Sequence, residues 1–318
     1  MCIRDRCEYQ NDPPDENDNI DDVLDSKGFL KRISKTPRGK LPVGTEHLTA
    51  FVDVQGQLLY WAVVAFGKGF RLGMVVDYGT FPEQPTRYFT LNSATKKLAA
   101  KYRGAKLGDR INSALKDLID EDLMPRDWQF DDSKQTMKIG RLLVDANWGD
   151  SSNTVYGFCK SSKFSRHVMP AHGKYIGPTA APISKYKSKK GEKVGCEWIT
   201  RRNNSREVKH ITFDSNWFKT QMHAAFAVEP GNENGMMICS GSAAAHQMLI
   251  DQLLSEKPST LTKGERTTTL WTLPQSKPDN HLLDCVSGAI VAASLDGCKF
   301  PFENKRKRGK SAKKRFAI

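Results

Sequence analysis

The chain is poor in several features that would have classified it at once. Its seven cysteines (Cys2, Cys7, Cys159, Cys196, Cys239, Cys285 and Cys298) form no C-x-x-C pair and no Cys/His ligand spacing. A structural zinc and a disulfide framework are therefore not expected, and free thiols in a reducing, intracellular setting are. No apolar run reaches the roughly 18 residues of a membrane span, and no signal-peptide pattern is read at the start. The longest apolar run, 58–66, has the length of a strand. There is no internal repeat. No Ser/His/Asp or Cys/His arrangement for nucleophilic catalysis is favoured. His172 and His246 show no pairing pattern, and only His281, three residues before an aspartate, merits notice.

Charge is what the chain has in excess. Of its 318 residues 49 are Lys or Arg against 36 Asp or Glu, a formal net charge of +13. That charge is unevenly spread. Residues 1–26 hold nine acids against Arg4 and Arg6, whereas "KRKRGKSAKKR" (305–315) holds eight cations and no acid. With −7 at one end and +8 at the other, 27–304 still carries +12. A basic body with a basic tail points to a polyanionic partner, most commonly nucleic acid. The blander reading of such a tail is a solubility aid or a nuclear address.

Residues 1–40, with few large apolar side chains, read as disordered or acidic linker, and 299–318 as a disordered basic tail. Between them, 41–298 reads as one domain. Residues 48–54, 58–66 and 71–77 are apolar runs separated by "QGQ" and "GKGF", the spacing of consecutive antiparallel strands. Helix follows over about 93–123, interrupted near Gly104 and Gly108, and then a buried strand in 138–149. A helix is expected over 152–162 with Ser152 or Asn153 near its cap, and strands at 194–200 and 207–213. Helices 216–227 and 242–256, a strand at 267–273 and a helix over 279–297 capped by Asp279 or Asn280 complete the reading. Strands first and then alternating helix and strand make an α/β fold with a mixed sheet flanked by helices.

Three aspartates lie in apolar surroundings. Asp53 interrupts "LTAFVDVQGQLLYWAVVAF", Asp145 ends "RLLVD", and Asp284 shares a helix face with Gly288, Val291, Ala292 and Leu295. A lone semi-buried aspartate is more often a salt-bridge partner or a cap, and for Asp145 a strand-end turn is an equal alternative. Asp53 and Asp284 have no such excuse. Three carboxylates converging at one sheet edge cannot all ionise without cations, and Mg²⁺ or Mn²⁺ suits hard oxygen ligands. Two ions about 3.5–4 Å apart would support phosphodiester hydrolysis.

These residues stand in "FVDVQGQLLYWAVVAF", "LLVDANWGDSSNTVYGFCKSS", "ITFDSNWFKTQMHAAFAV" and "PDNHLLDCVSGAIVAASLDG". In order and spacing, these blocks resemble the C-terminal endonuclease domain of the GpA-type large terminase subunit of tailed phages, over about residues 40–298. The resemblance implies an RNase H-like fold and metal-dependent cutting of concatemeric DNA during packaging. It carries the acidic roles onto Asp53, Asp145 and Asp284. It also implies double-stranded DNA as partner, with the terminase small subunit, portal or a separate ATPase motor beside it, in the cytoplasm of an infected bacterium. Full-length members carry an ATPase motor, but here no G-x-x-x-x-G-K-[ST] loop exists. "RGKS" (308–311) has Asn304 where the first glycine belongs. ATP binding is not expected, and the chain reads as a fragment of a longer terminase or a separately encoded nuclease. The rivals are another RNase H-like nuclease, such as a resolvase or a transposase-like enzyme, and a non-catalytic DNA-binding module.

Candidate DNA contacts are the basic segment with Lys185, Lys187, Lys189, Lys190, Arg201, Arg202, Arg206 and Lys209, and the tail with Lys305, Arg306, Lys307 and Arg308. A solvated hairpin is the equal alternative for the first. Lys174 and Lys219 are single cations beside the motif blocks, either phosphate contacts or ordinary surface lysines. Asn147 and Trp148 are expected at the site rim. Asp150 and Asp214 read as further ligands or as helix caps.

Overall fold

The computed structural model describes residues 23–67, 73–149, 151–203, 208–277 and 279–299. The three apolar runs form β1 (Thr45–Val54), β2 (Leu59–Gly67) and β3 (Gly73–Phe81), paired antiparallel in succession. β2 is buried along its whole length, because it has a strand on either side and helices on both faces, and so it reads as a continuous apolar run. After β3 come α2 (Leu98–Lys101) and α3 (Leu107–Leu115), the latter continuing as a π-helical stretch, Lys116–Leu123. The break between α2 and α3 falls at Gly104, whose φ of +78° is open to glycine at no steric cost. A small ribbon of β4 (Trp128–Gln129) and β5 (Thr136–Met137) leads into β6 (Arg141–Asp145).

β6 pairs parallel with β1 on one side and with β7 (Val168–Lys174) on the other, joined to it through α4 (Ser152–Ser161). Short β8 (Lys193–Val194), β9 (Trp198–Asn203) and β10 (Val208–Asp214) complete that side, with β10 parallel to β7 and antiparallel to β9. Next come α5 (Ser215–Ala227), β11 (Met236–Ile238) parallel to β3, and α6 (Ala243–Leu253). A separate hairpin of β12 (Lys257–Lys263) and β13 (Arg266–Thr272) precedes α7 (His281–Leu295). Among the described residues the main sheet has nine strands in the order β11-β3-β2-β1-β6-β7-β10-β9-β8. The 3-2-1-6-7 core, three antiparallel strands and then parallel ones, is the RNase H-like arrangement the resemblance implies.

The sheet separates two apolar cores by strand parity. On β1, Ala50, Val52 and Val54 face the α3 and α4 side with Leu142 and Val144 of β6. Phe51 and Leu143 face the other side, where α5, α6 and α7 pack. α7 lies directly on β1. A Cβ on Gly288 would stand 2.1 Å from Phe51 Cδ2, so only glycine lets the helix come this close, and Thr49 Oγ1 donates to Ala289 O at 2.8 Å.

Several features depart from the sequence reading. Residues 26–40 lie in the stretch expected to be linker, yet α1 (Ser26–Leu30) is capped by Asp25 and buries Phe29. The buried Arg32 donates to Phe226 O at 2.7 Å and Ala227 O at 3.0 Å, satisfying carbonyls at the C-terminus of α5. β7, β11 and β12 were not expected. "VMPAHGK" carries a proline and a glycine, which argue against a central strand, and "KPSTLTK" lacks apolar alternation. The helix caps differ in part. α4 begins after Ser151 rather than Ser152 or Asn153; Asn280 does hold the expected N-cap position of α7, but neither helix has a side-chain cap bond, and Asp279 Oδ2 accepts from Leu91 N at 2.7 Å.

Candidate active site

Strand parity that places Phe51 and Leu143 on the α7 side places Asp53 and Asp145 there too, one alternation further along. The β1–β6 register pairs Phe51 with Leu143 and Val52 with Val144, so its next step sets Asp53 beside Asp145. Adjacent strands lie about 4.8 Å apart. Asp284 stands one helical turn before Gly288, the residue seated on Phe51, which brings it over the same strand ends. The three aspartates line one cleft of ≈ 440 Å³, together with Gln55, Asn147, Trp148, Gly173, Ser215 and Lys219.

Each carboxylate has a distinct environment. Asp53, only 5% exposed, accepts from Gln55 Nε2 on both oxygens (3.2 and 3.0 Å) and from His281 Nδ1 at 2.7 Å. His281 sits one turn before Asp284 on α7, and its ring stacks on Tyr60 at 4.4 Å. Burial disfavours its imidazolium, but the hydrogen bond and charge of Asp53 outweigh this and raise its pKa. Asp145 accepts from Asn147 N at 3.3 Å, and burial followed by the charge of Asp53 pushes its carboxyl well above the usual range. Asp284 keeps 35% of its side chain open and meets Lys219 Nζ at 2.8 Å. Burial raises its carboxyl, and Lys219 pulls it back.

Lys219 is not a surface lysine. It is 7% exposed and bridges Asp284 to Glu256, whose Oε1 is 2.6 Å from Nζ. Burial works against its charge, yet the two carboxylates raise its pKa overall. Glu256, 4% exposed and just past α6, also accepts from Asn280 Nδ2 at 2.6 Å. It was missed in the sequence because "LSEK" reads as an ordinary polar helix end. Its only signal was a glutamate close behind a strongly apolar helix.

The convergence expected of the three aspartates is therefore partial. They share the cleft, and Asp145 senses the charges of the other two, but among the described residues no three His, Cys, Asp or Glu side chains form a ready metal-binding cluster. Asp284 is paired with Lys219 instead. The donor set still fits an Mg²⁺-type ion, which takes one or two carboxylates and completes its shell with water and substrate phosphate.

The remaining sites sort plainly. Asn147 and Trp148 line the cleft, as expected of its rim. Asp214 caps α5, its side chain accepting from Trp217 N at 3.2 Å, and is not among the residues lining the cleft. Lys174 is exposed at the end of β7, beside Gly173 of the cleft. Lys185, Lys187, Lys189, Lys190, Arg201, Arg202 and Lys209 are exposed on or beside the β8–β9–β10 edge, where Arg201 also lies over the Tyr186 ring at 5.9 Å. Asp150, Arg206 and the tail cations Lys305, Arg306, Lys307 and Arg308 lie outside the described residues. Cys159, Cys239 and Cys285 are buried free thiols, and no described helix is long and apolar enough to cross a membrane.

No curated protein and no solved structure matches this chain. The family model described as "Terminase large subunit gpA, endonuclease domain" does, over residues 17–306, and on that match the chain belongs to this terminase endonuclease family, with the nuclease role in phage DNA packaging that membership brings.

Proposed function

We propose that the chain is a divalent-metal-dependent DNA endonuclease whose active site is the cleft of Asp53, Asp145 and Asp284. The observation that carries this reading is the placement of two carboxylates level on adjacent parallel strands, under a third on α7, in one open cleft. These residues would hold Mg²⁺ or Mn²⁺, which when bound supplies activation of water and charge against the phosphoryl oxygens.

The chain's own groups do the positioning. Gln55 and His281 fix the orientation of Asp53, and the hydrogen bond from Asn147 N fixes Asp145. Asn147 Nδ2 in turn donates to Gly173 O at 3.0 Å, tying the β6 end to the β7 end. Hydrolysis forms a bond from water oxygen to phosphorus and breaks one ester bond to a sugar oxygen. Lys219 places a fixed positive charge beside the growing negative charge on that phosphate. Exposed Lys174 and the basic β8–β9–β10 edge, with Lys185, Lys187, Lys189, Lys190, Arg201 and Arg202, would hold the flanking duplex, helped by Lys305, Arg306, Lys307 and Arg308 of the tail. In an infected bacterium the partners would be a motor ATPase, the small subunit and the portal.

The test is cleavage of supercoiled plasmid with Mg²⁺ or Mn²⁺, beside EDTA and Asp53→Asn. Metal-dependent nicking and linearisation, lost in the variant, is the expected result. Wild-type cutting rates in Asp53→Asn would refute the site. Preference for branched DNA or an RNA–DNA hybrid would instead favour a resolvase-like enzyme. Salt-sensitive binding with no cleavage would leave a DNA-binding module.

A further inference from the structure

We propose that the ammonium of Lys219, pinned by Glu256, takes the place of a second metal ion, so that this cleft binds one divalent ion, which Asp53 and Asp145 would hold. The inference rests on the metal-dependent reading above and sharpens it.

A carboxylate already paired with an ammonium is a poorer ligand for a further cation, and Asp284 Oδ1 is held by Lys219 Nζ at 2.8 Å. Displacing Nζ is opposed from behind. The same nitrogen lies 2.6 Å from Glu256 Oε1, a group 4% exposed that would be left buried with its charge unmatched. Glu256 is itself fixed, since Asn280, immediately before α7, donates to the same oxygen at 2.6 Å. Its other oxygen has no hydrogen-bond partner among the described residues, so the carboxylate depends on these two donors. Lys219 is thus clamped between two carboxylates contributed by different segments, with its stem rising from α5.

Asp53 and Asp145 are different. Neither has an ammonium or guanidinium partner among the described ion pairs; Asp53 accepts from Gln55 and His281, and Asp145 from the Asn147 backbone. Their two carboxylates match what an Mg²⁺-type ion takes from protein. A fixed ammonium on the far side of the cleft supplies, without dissociating, the positive charge that a second ion would bring to the phosphate.

The experiment counts Mn²⁺ bound per chain by electron paramagnetic resonance of the free ion, for wild type, Lys219→Met, Glu256→Gln and Asp145→Asn, with thermal melts alongside. Lys219→Met keeps the aliphatic stem and deletes only the charge. Wild type is expected to bind one ion, Asp145→Asn to lose it, and Lys219→Met to bind two, with a larger rise in melting temperature on adding Mn²⁺. Glu256→Gln keeps Lys219 but loosens it, so a second, weaker ion is expected there, and this variant carries the test should Lys219→Met fail to fold. Two ions on wild type, or one ion on a folded Lys219→Met, overturn the inference while leaving the metal-dependent nuclease standing. No ion on wild type overturns both.

Discussion

The Asp214 carboxyl accepts from Trp217 N and caps α5, yet it is costly where it sits. Burial, with the charge of Glu197 adding to it, raises its pKa from 3.8 to about 7 against the cap bond. The folded state therefore holds this proton more tightly than the unfolded chain does. The stability it contributes is complete below 3.8 and is lost as pH rises towards about 7, after which the ionised group is a constant penalty. Asparagine caps as well as aspartate and carries no charge. Asp214→Asn is thus expected to change stability little at about pH 4 and to add on the order of 1–3 kcal/mol at about pH 8, read from urea midpoints at both. A gain independent of pH would mean that Asp214 does not titrate in this window. Asp145, also raised by burial and then by Asp53, shares the sign. Asp145→Asn should stabilise the fold in mildly alkaline buffer while lowering cleavage at least about 100-fold, with DNA binding retained or tightened. Destabilisation together with lost activity would make Asp145 structural. At this scale the sequence singled out Asp53 and Asp284, which have no solvent-side excuse on an apolar strand and a packed helix, and both line the cleft. It was silent on Glu256 and misleading on Lys219, because single charged residues on helices usually face water, and only the packing of α5 against α7 buries this one.

Among the elements, α7 carries the most consequence, because it must lie close on β1 to bring Asp284 to the strand ends. Gly288 permits that approach, its missing Cβ leaving room for the buried Phe51 ring. Gly288→Ala forces the helix or the ring to move. The expected cost is about 1–3 kcal/mol in denaturant midpoint, with a fall in cleavage beyond what the lost folded fraction explains. Unchanged activity at full folding would mean the helix can shift without moving Asp284. The apolar strands β1, β2 and β6 and the helices α5, α6 and α7 were legible because their periodicities are plain. β7 was not. Pro170 and Gly173 speak against a strand, and only its neighbours β6 and β10, parallel on either side, make it one. Likewise the short α1 becomes ordered through Phe29 and Arg32, whose partners lie about 200 positions away on α5.

Over the whole molecule, the exposed cations beside β8, β9 and β10 and the eight of the 305–315 tail should make DNA affinity strongly salt-dependent. Replacing Arg201 and Arg202 together with alanine is expected to reduce the slope of log affinity against log salt by up to about 1.8, if both neutralise phosphates. Truncation before Lys305 tests the tail in the same assay. An unchanged slope in either variant would remove that segment from the interface. The family match, the mixed sheet and the basic balance could be read from the linear chain, since motif blocks, apolar periodicity and net charge are properties of residue order. Which of its charges cancel one another could not. Asp53 meeting His281, and Lys219 standing between Asp284 and Glu256, are contacts between segments far apart in the chain. They are set by the register of β1 on β6 and the seating of α7 on the sheet, and buried charges take their state from such neighbours, whatever their sequence context.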